Sequence, residues 1–302
     1  MKEALKLGTR GSPLAVAQST QIARALEAAH PGLKVELVRI TTTGDQMQAG
    51  PVKPVESTKA IFTKELEEAM LAGQVDFAVH SAKDLAAAMP EGLVLAAVPV
   101  RASCADVLIS RRGLGVLGGQ ERMTLASSSL RRSLQWVERY PGASFVPLRG
   151  NIDTRIMRLR EHASWDGIIL ARAGLTRLPV DLSGLVAEDL PTEWMLPAPG
   201  QGALALQARA DDADTLGLLV ALDDPATRRR VGLERAFLVA MEAGCHVPLG
   251  ALADEPEDGG RFRLRAVFYH EGQPQGRKGE VSGRWDEAEQ GVRALAAQLR
   301  GP

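Results

Sequence analysis

Several residue types are scarce in this chain. Its 302 residues include two cysteines, Cys104 and Cys245, one asparagine, Asn151, and eight lysines. Two thiols make no disulfide framework, so a reducing, cytoplasmic setting is expected. No run of eighteen apolar residues occurs, and the opening MKEALKLGTRGSP lacks the apolar stretch of a signal peptide. Neither a membrane span nor a secretion signal is expected. Basic and acidic residues number 36 and 37, for a net charge of −1. That balance gives no reason to expect nucleic acid as a partner. HExxH, CxxC and the P-loop pattern G-x-x-x-x-G-K-[ST] are all missing, so neither a metal nor a P-loop nucleotide site is expected. The shortage of asparagine and cysteine fits a heat-tolerant source and equally a compositional bias. Either way, the one retained asparagine invites a local explanation.

What is present is an ordinary globular composition, 45% apolar, at a length that suggests two or three domains. KLGTR ends a strand. Ser12–Pro13 reads as N-cap and first helical residue of a helix running to about Ala29, stopped by Pro31–Gly32. KVELVRI (34–40) is a strand, IFTKELEEAMLAG a helix ending at Gly73, and VDFAVHS (75–81) and LVLAAVPV (93–100) two more strands. This alternation predicts an α/β domain with a mostly parallel sheet. The rhythm restarts over 103–195 with ADVLIS, MTLASS, SFVPL and GIILAR as strands, and SSLRRSLQWVERY and IDTRIMRLREHA as helices. PAPG (197–200) links to a further strand, ALALQAR. A third, smaller α+β part opens with a helix from Asp224–Pro225 to Ala243, continues with the strand FRLRAVFYH and closes on a helix at 286–300. GLGVLG (113–118) matches G-x-G-x-x-G, but no helix is expected to open after it. It reads as a flexible loop, not a dinucleotide site.

Arginines gather where strands give way to helices. Arg10 lies at a strand end. Arg131 and Arg132 occupy the first turn of the helix begun by Ser127-Ser128-Ser129. Arg149 ends a strand in R-G-N, Arg155 follows one turn into the next helix, and Arg177 follows LAR and the turn AGLT. Ligands of open α/β sheets bind at the carboxyl ends of strands, where helix N-termini add free N–H groups. A guanidinium in a helix's first turn opposes the dipole, and an anion site would explain its presence there. Each arginine alone reads equally as a solvated surface residue. Together they predict a ligand with several anionic groups. Gly150 allows close backbone approach, and Asn151 suits a helix cap or a left-handed residue. Ser81, Lys83 and Asp84 fall at the carboxyl end of a buried strand. Lys83 and Asp84 read either as an exposed ion pair or as a site in which the carboxylate holds a cation or moves a proton.

Cys245, in MEAGCHVPLG, admits three readings: a buried structural thiol, a Cys–His nucleophile with His246, and a covalent attachment point. Neighbours in sequence seldom form a dyad, because their side chains diverge. Gly244 and Pro248 put the thiol on a turn, where an arginine-rich surrounding would lower its pKa.

Together TRGSPLA, TTGD, FTKELE, AVHSAKD, SSSLRR, LRGNIDTR, LARAGLTR, PAPGQGA, LERAFL and GCHVPLG resemble the porphobilinogen deaminase (hydroxymethylbilane synthase) family, in its order and spacing, from about residue 7 to 250. The resemblance implies an enzyme that joins four porphobilinogen molecules head to tail, with loss of ammonia, into hydroxymethylbilane for tetrapyrrole biosynthesis. It implies a dipyrromethane cofactor held by a thioether to Cys245, and Asp84 as the catalytic carboxylate. Arg10, Ser12, Lys59, Ser81, Lys83, Ser127, Ser128, Ser129, Arg131, Arg132, Arg149, Gly150, Asn151, Arg155, Arg177, Gln201 and Gly202 match its cofactor- and substrate-binding positions. It also implies a monomer with two α/β domains like type II periplasmic binding proteins, 1–99 with 200–218 and 103–195, and a small α+β domain, 222–302. The alternative is a non-catalytic anion-binding module of the periplasmic type. This chain departs from the family in KPVESTKAIF (53–62), which lacks the glycines usual there, and in Ser127 and His246, where threonine and glutamine are common. It also lacks a proline often found after the Lys–Asp pair of AVHSAKDLAAAMP.

Overall fold

A computed structural model describes residues 2–43, 60–86, 88–119, 122–242, 248–254 and 260–301. The first elements form where the sequence pattern places them. Strand β1 (Ala4–Arg10) buries Leu5 and Leu7. Helix α1 (Pro13–Ala29) starts at Ser12, whose hydroxyl oxygen accepts from the Ala15 amide at 3.3 Å, with proline just inside the first turn. Then come β2 (Lys34–Ile40), α2 (Ala60–Leu71), β3 (Phe77–Ser81) and β4 (Leu93–Ala97).

The middle of the chain supplies β5 (Asp106–Ser110), α3 (Leu114–Leu117), β6 (Met123–Ala126), α4 (Leu130–Arg139), β7 (Ala143–Val146), α5 (Ile152–Glu161), β8 (Gly167–Ala171), α6 (Arg172–Arg177) and β9 (Val186–Asp189). The remainder supplies β10 (Leu204–Arg209), α7 (Ala213–Leu219), α8 (Pro225–Ala240), β11 (Leu249–Asp254), β12 (Arg261–Phe268), β13 (Arg277–Arg284) and α9 (Ala288–Arg300).

The fold is mixed α/β with a small C-terminal α+β part. The first sheet has the order β2-β1-β3-β10-β4 and the second β7-β6-β8-β5-β9. In both, four strands share one direction and a single interior strand reverses it: β10 is antiparallel to β3 and β4, and β5 to β8 and β9. The strands are thus mostly codirectional, as expected, with one reversed strand in each sheet that the sequence pattern did not announce. Hairpin-like antiparallel pairing can use a strand returning from elsewhere in the chain, and the alternation of strands with helices does not reveal it. The third sheet, β11-β12-β13, is an antiparallel meander covered by α8 and α9.

Three local expectations need correction. GLGVLG is not a plain loop, since Leu114–Leu117 close one helical turn after Gly113 and bury Leu117. Strands β9, β11 and β13 are additional, their alternation being too short or too polar to announce them. Helix α8 ends at Ala240, not Ala243. Asn151 does take the N-cap position of α5, as expected, with extended backbone, although its side chain makes no cap hydrogen bond.

The chain divides into two compact units, Met1–Ala102 with Ala203–Arg229, and Ser103–Gly202 with Arg230–Pro302. Within the first, Phe77 and Val79 face α1 while Ala78 faces α2, the two-residue alternation of a strand buried on both sides. Within the second, β11 lies directly against Leu196 and Pro197, where PAPG begins. Ala251 N donates to Pro197 O at 2.9 Å, and a methyl group on Gly250 would fall 2.8 Å from Leu196 O. This contact explains the last glycine of GCHVPLG. Gly250→Ala is expected to cost about 1–3 kcal/mol of stability through overpacking, read as a lowered midpoint in denaturant unfolding.

Candidate functional site

Strand β3 ends by sending its last side chains to opposite faces. Ser81, in phase with Val79, meets α1, where Gln18 Nε2 donates to Ser81 Oγ at 3.1 Å. His80, in phase with Ala78, lies on the α2 side with Thr63. A single 3₁₀ turn, Ala82–Asp84, follows, tied to β10 by Ala82 N donating to Ala203 O at 3.0 Å. It carries Asp84 into a pocket lined by Arg10, Gln18, Thr63, His80 and Ser81. Among the described residues, the Asp84 carboxylate has no hydrogen-bond or ion-pair partner. The structure thus gathers Arg10, Ser81 and Asp84 as expected. Lys83 is half-buried beside them in the sequence, and the Ser12 oxygen caps α1.

In the second unit the expected anion-binding arginines meet an anion from their own chain. Arg131 and Arg132 are 6% and 7% exposed, and both reach Asp106, the fully buried first residue of β5. Arg131 Nη1 donates to Asp106 Oδ2 and to Leu196 O, each at 2.7 Å. Arg132 Nε donates to Asp106 Oδ1 at 2.9 Å, and its Nη1 to Ile169 O at 3.1 Å. Gln201 Nε2 adds 2.9 Å bonds to Asp106 Oδ1 and Cys104 O. Burial pushes the Asp106 carboxyl up, but Arg131 and Arg132 outweigh it and hold the carboxyl well below its ordinary 3.8. Two cations on one anion leave the cluster with one net positive charge.

Residues 200–202 are pinned one by one. Gly200 N donates to Glu234 Oε2 at 2.6 Å, Gln201 reaches Asp106, and Gly202 O accepts from Arg177 Nη2 at 2.7 Å. Arg177 differs from Arg131 and Arg132 in having no acidic partner among the described residues. Its Nε is buried without a hydrogen bond, and burial lowers its pKa to about 10. A guanidinium kept from water without a counter-ion suits an anionic ligand.

Ser128 is committed to the neighbouring loop, its hydroxyl donating to Leu148 O at 3.0 Å and accepting from Leu148 N at 2.9 Å. Ser127 Oγ accepts from Ser129 N, the N-cap of α4, at 3.2 Å. Arg149 is exposed and makes no side-chain hydrogen bond or ion pair with the described residues. Gly150 adopts φ 108°, in the left-handed region, and its carbonyl accepts from Arg155 Nε at 2.7 Å. Lys59 and Cys245 lie outside the described residues.

Sequence reasoning passed over Asp106, His80, Gln18 and Glu234. The signal for the first two was available, because DVLIS and FAVHS each place one titratable residue in an otherwise mostly apolar strand, and such a group needs a partner or a purpose.

Removing the Asp106 charge leaves two buried cations uncompensated. Asp106→Asn is expected to lose about 3–5 kcal/mol of stability at pH 7. The depressed carboxyl contributes this above the unfolded-state pKa and gives it up as pH falls through its folded value. Urea unfolding at stepped pH should therefore show a constant wild-type advantage from pH 8 to 5, shrinking below about pH 4.

Comparison with known proteins agrees with these motifs. The family described as "Porphobilinogen deaminase, dipyromethane cofactor binding domain" matches residues 5–217, and "Porphobilinogen deaminase, C-terminal domain" matches 229–301. Porphobilinogen deaminase of Rubrobacter xylanophilus is 46% identical over 299 residues, 98% of this chain and 93% of that protein. The enzyme of the same name from a Roseiflexus species is 45% identical over 253 residues, covering 84% of this chain and 82% of its own. Among solved structures, the periplasmic aliphatic sulphonate binding protein SsuA from Escherichia coli aligns with 80% of this chain and 71% of its own, at 14% identity and a TM-score of 0.40. With both family regions matched in order, and relatives of one name at over 40% identity, the chain belongs to the porphobilinogen deaminase family.

Proposed function

We propose that this chain polymerises four porphobilinogen molecules head to tail, with loss of ammonia, into hydroxymethylbilane, on a dipyrromethane primer bound covalently through a thioether to Cys245. The observations that carry this reading are an unengaged carboxylate, Asp84, in the pocket of the first unit and, within the second, cations that have no acid of their own among the described residues. Porphobilinogen and its oligomers bear acetate and propionate groups, and Arg177 and Arg149 are of the kind that such groups require. The same donor chemistry fits the primer. Arg155, Arg149, Ser127, Ser129, Gly150 and Asn151 would hold its carboxylates, with Arg10, Ser12, Lys59, Ser81, Lys83 and Gly202 toward the incoming substrate. Bound, the primer supplies the pyrrole carbon that chain growth begins from.

Asp84 is the catalytic residue of this scheme. As ammonia leaves the substrate's aminomethyl carbon, positive charge develops there, and a carboxylate with no internal partner stabilises it and receives or returns a proton. Arg10, in the same pocket, holds a substrate carboxylate and so fixes the pyrrole against Asp84. Asp106 narrows what the other arginines do. Arg131 and Arg132 present to the ligand only the donors that Asp106, Leu196 and Ile169 leave over, so they act as a rigid, singly positive cluster.

We further propose three domains, 1–99 with 200–218, 103–195 and 222–302, in a monomer. Their support is one sheet apiece and a break between family regions at 217–229. A cytoplasmic location agrees with the sparing use of cysteine. No described helix is long and apolar enough to cross a membrane.

Intact-mass measurement with a peptide map is the primary test. An addition of two linked pyrrole units on the Cys245 peptide is expected, rising in single-pyrrole steps on incubation with porphobilinogen. An unmodified thiol that stays unmodified after incubation would leave a non-catalytic anion-binding protein. Cys245→Ser should carry no covalent pyrroles. Asp84→Ala should keep the primer and the wild-type melting temperature while turnover falls by about 10²–10⁴-fold, the usual share of a proton-transferring group.

A further inference from the structure

Next to Asp84 lies a second polar group that the scheme above leaves unused. His80 is 5% exposed, at the carboxyl end of β3, and it lines the Asp84 pocket together with Arg10. Its Nε2 is buried without a hydrogen-bond partner. The Gln207 side chain of β10 interacts with the ring and favours its protonated form, but Nε2 makes no hydrogen bond of good geometry. The Gln207 amide nitrogen is held instead by Glu67 Oε1 at 3.2 Å, and its oxygen is likewise buried without a partner. Other polar side chains of similar depth have partners, Asp106 in two arginines and a glutamine and Ser19 in Thr9 at 2.8 Å. An orphaned ring nitrogen in a wall of the reactive pocket is costly for folding alone, so it calls for a ligand.

The charge state says which ligand group. Burial, opposed by Gln207 and assisted by the Arg10 charge, lowers the His80 pKa to about 4. The ring is therefore neutral at physiological pH, and a neutral imidazole is no partner for a carboxylate when a guanidinium stands in the same pocket. A ring nitrogen that carries no proton accepts from N–H donors. Porphobilinogen offers both chemistries at once, carboxylates for Arg10 and the pyrrole and aminomethyl N–H groups for acceptors.

We propose that His80 is a substrate-contacting residue, whose Nε2 accepts a hydrogen bond from an N–H group of the pyrrole held between Arg10 and Asp84. The assignment rests on the deaminase reading and deepens it. The pocket then has two acceptors of different kind. Asp84 is charged and moves with the developing positive charge. His80 is neutral and orients the ring without drawing the proton away.

The experiment compares wild type, His80→Leu and His80→Gln, all as primer-loaded holoenzyme. Wild-type turnover of porphobilinogen is measured first. Its absence overturns the deaminase reading without bearing on His80. His80→Leu should lower kcat/KM roughly 10–100-fold, the range for one lost buried hydrogen bond. It should also leave the melting temperature unchanged or raised, because it removes a buried polar atom that had no partner. His80→Gln, which keeps an acceptor, should recover part of the loss. An unchanged kcat/KM in the leucine variant overturns the proposal, as does a loss of activity that merely follows a lowered melting temperature in both variants. Should the leucine variant not fold, the ring nitrogens of the ¹⁵N-histidine-labelled wild type decide. The His80 Nε2 resonance shifts on adding porphobilinogen if the contact exists, and an unmoved resonance removes it.

Discussion

One buried carboxylate organises the second unit. Asp106 has no solvent and no alternative counter-ion, so Arg131 and Arg132 must stay where they are, and α4 with them. This also settles why two guanidiniums tolerate the unfavourable end of a helix dipole: the local anion outweighs the macrodipole, whose contribution is about 1 kcal/mol or less at such a position. Through Arg131 and Gln201 the same carboxylate fixes Leu196 and residue 201, and through them the segment that presents the Gly202 carbonyl to Arg177. Glu234 does for Gly200 from α8 what Asp106 does from β5. Its other oxygen accepts from Ala253 N at 3.0 Å, which carries the same tie into the third sheet.

The two units use charge in opposite ways. In the first, a carboxylate and one imidazole nitrogen are left without hydrogen-bond partners among the described residues, in the pocket that Arg10 also lines, and a ligand has acceptors to satisfy. In the second, arginines outnumber the acids available to them, and a ligand has cations to satisfy. N–H donors are what the first unit's acceptors suit, and carboxylates what the second unit's arginines suit.

Much of this was legible in the sequence. Ser12–Pro13 announced α1 because capping is local chemistry, and β3 was plain because an apolar run ended at polar residues. Arg10 and Asp84 were each legible at a strand end, where such sheets bind, and the structure places both in one pocket of the first unit. What stayed hidden depends on contacts distant in sequence. That Arg131 and Arg132 face Asp106 follows from β5 pairing with β8, which no local pattern encodes. Strand β13, RKGEVSGR, is too polar to look like a strand and exists because β12 offers it a full antiparallel register. Asn151 looked like a cap and holds the cap position without using its side chain, since Gly150 and Arg155 already set the turn.

The order in which the sheets can be completed differs from the order of the sequence. All five strands of the second sheet lie between residues 106 and 189, whereas the first needs β10 in its interior, between β3 and β4. Leu204 and its partner Ser81 are roughly 120 residues apart. On a ribosome the first hundred residues therefore emerge with a gap in their sheet, and they wait while the later unit closes. The nascent chain has its edge strands exposed for that interval, the situation in which chaperones and slow translation matter most. The pocket around Asp84, though encoded early, is among the last parts of the molecule to take shape.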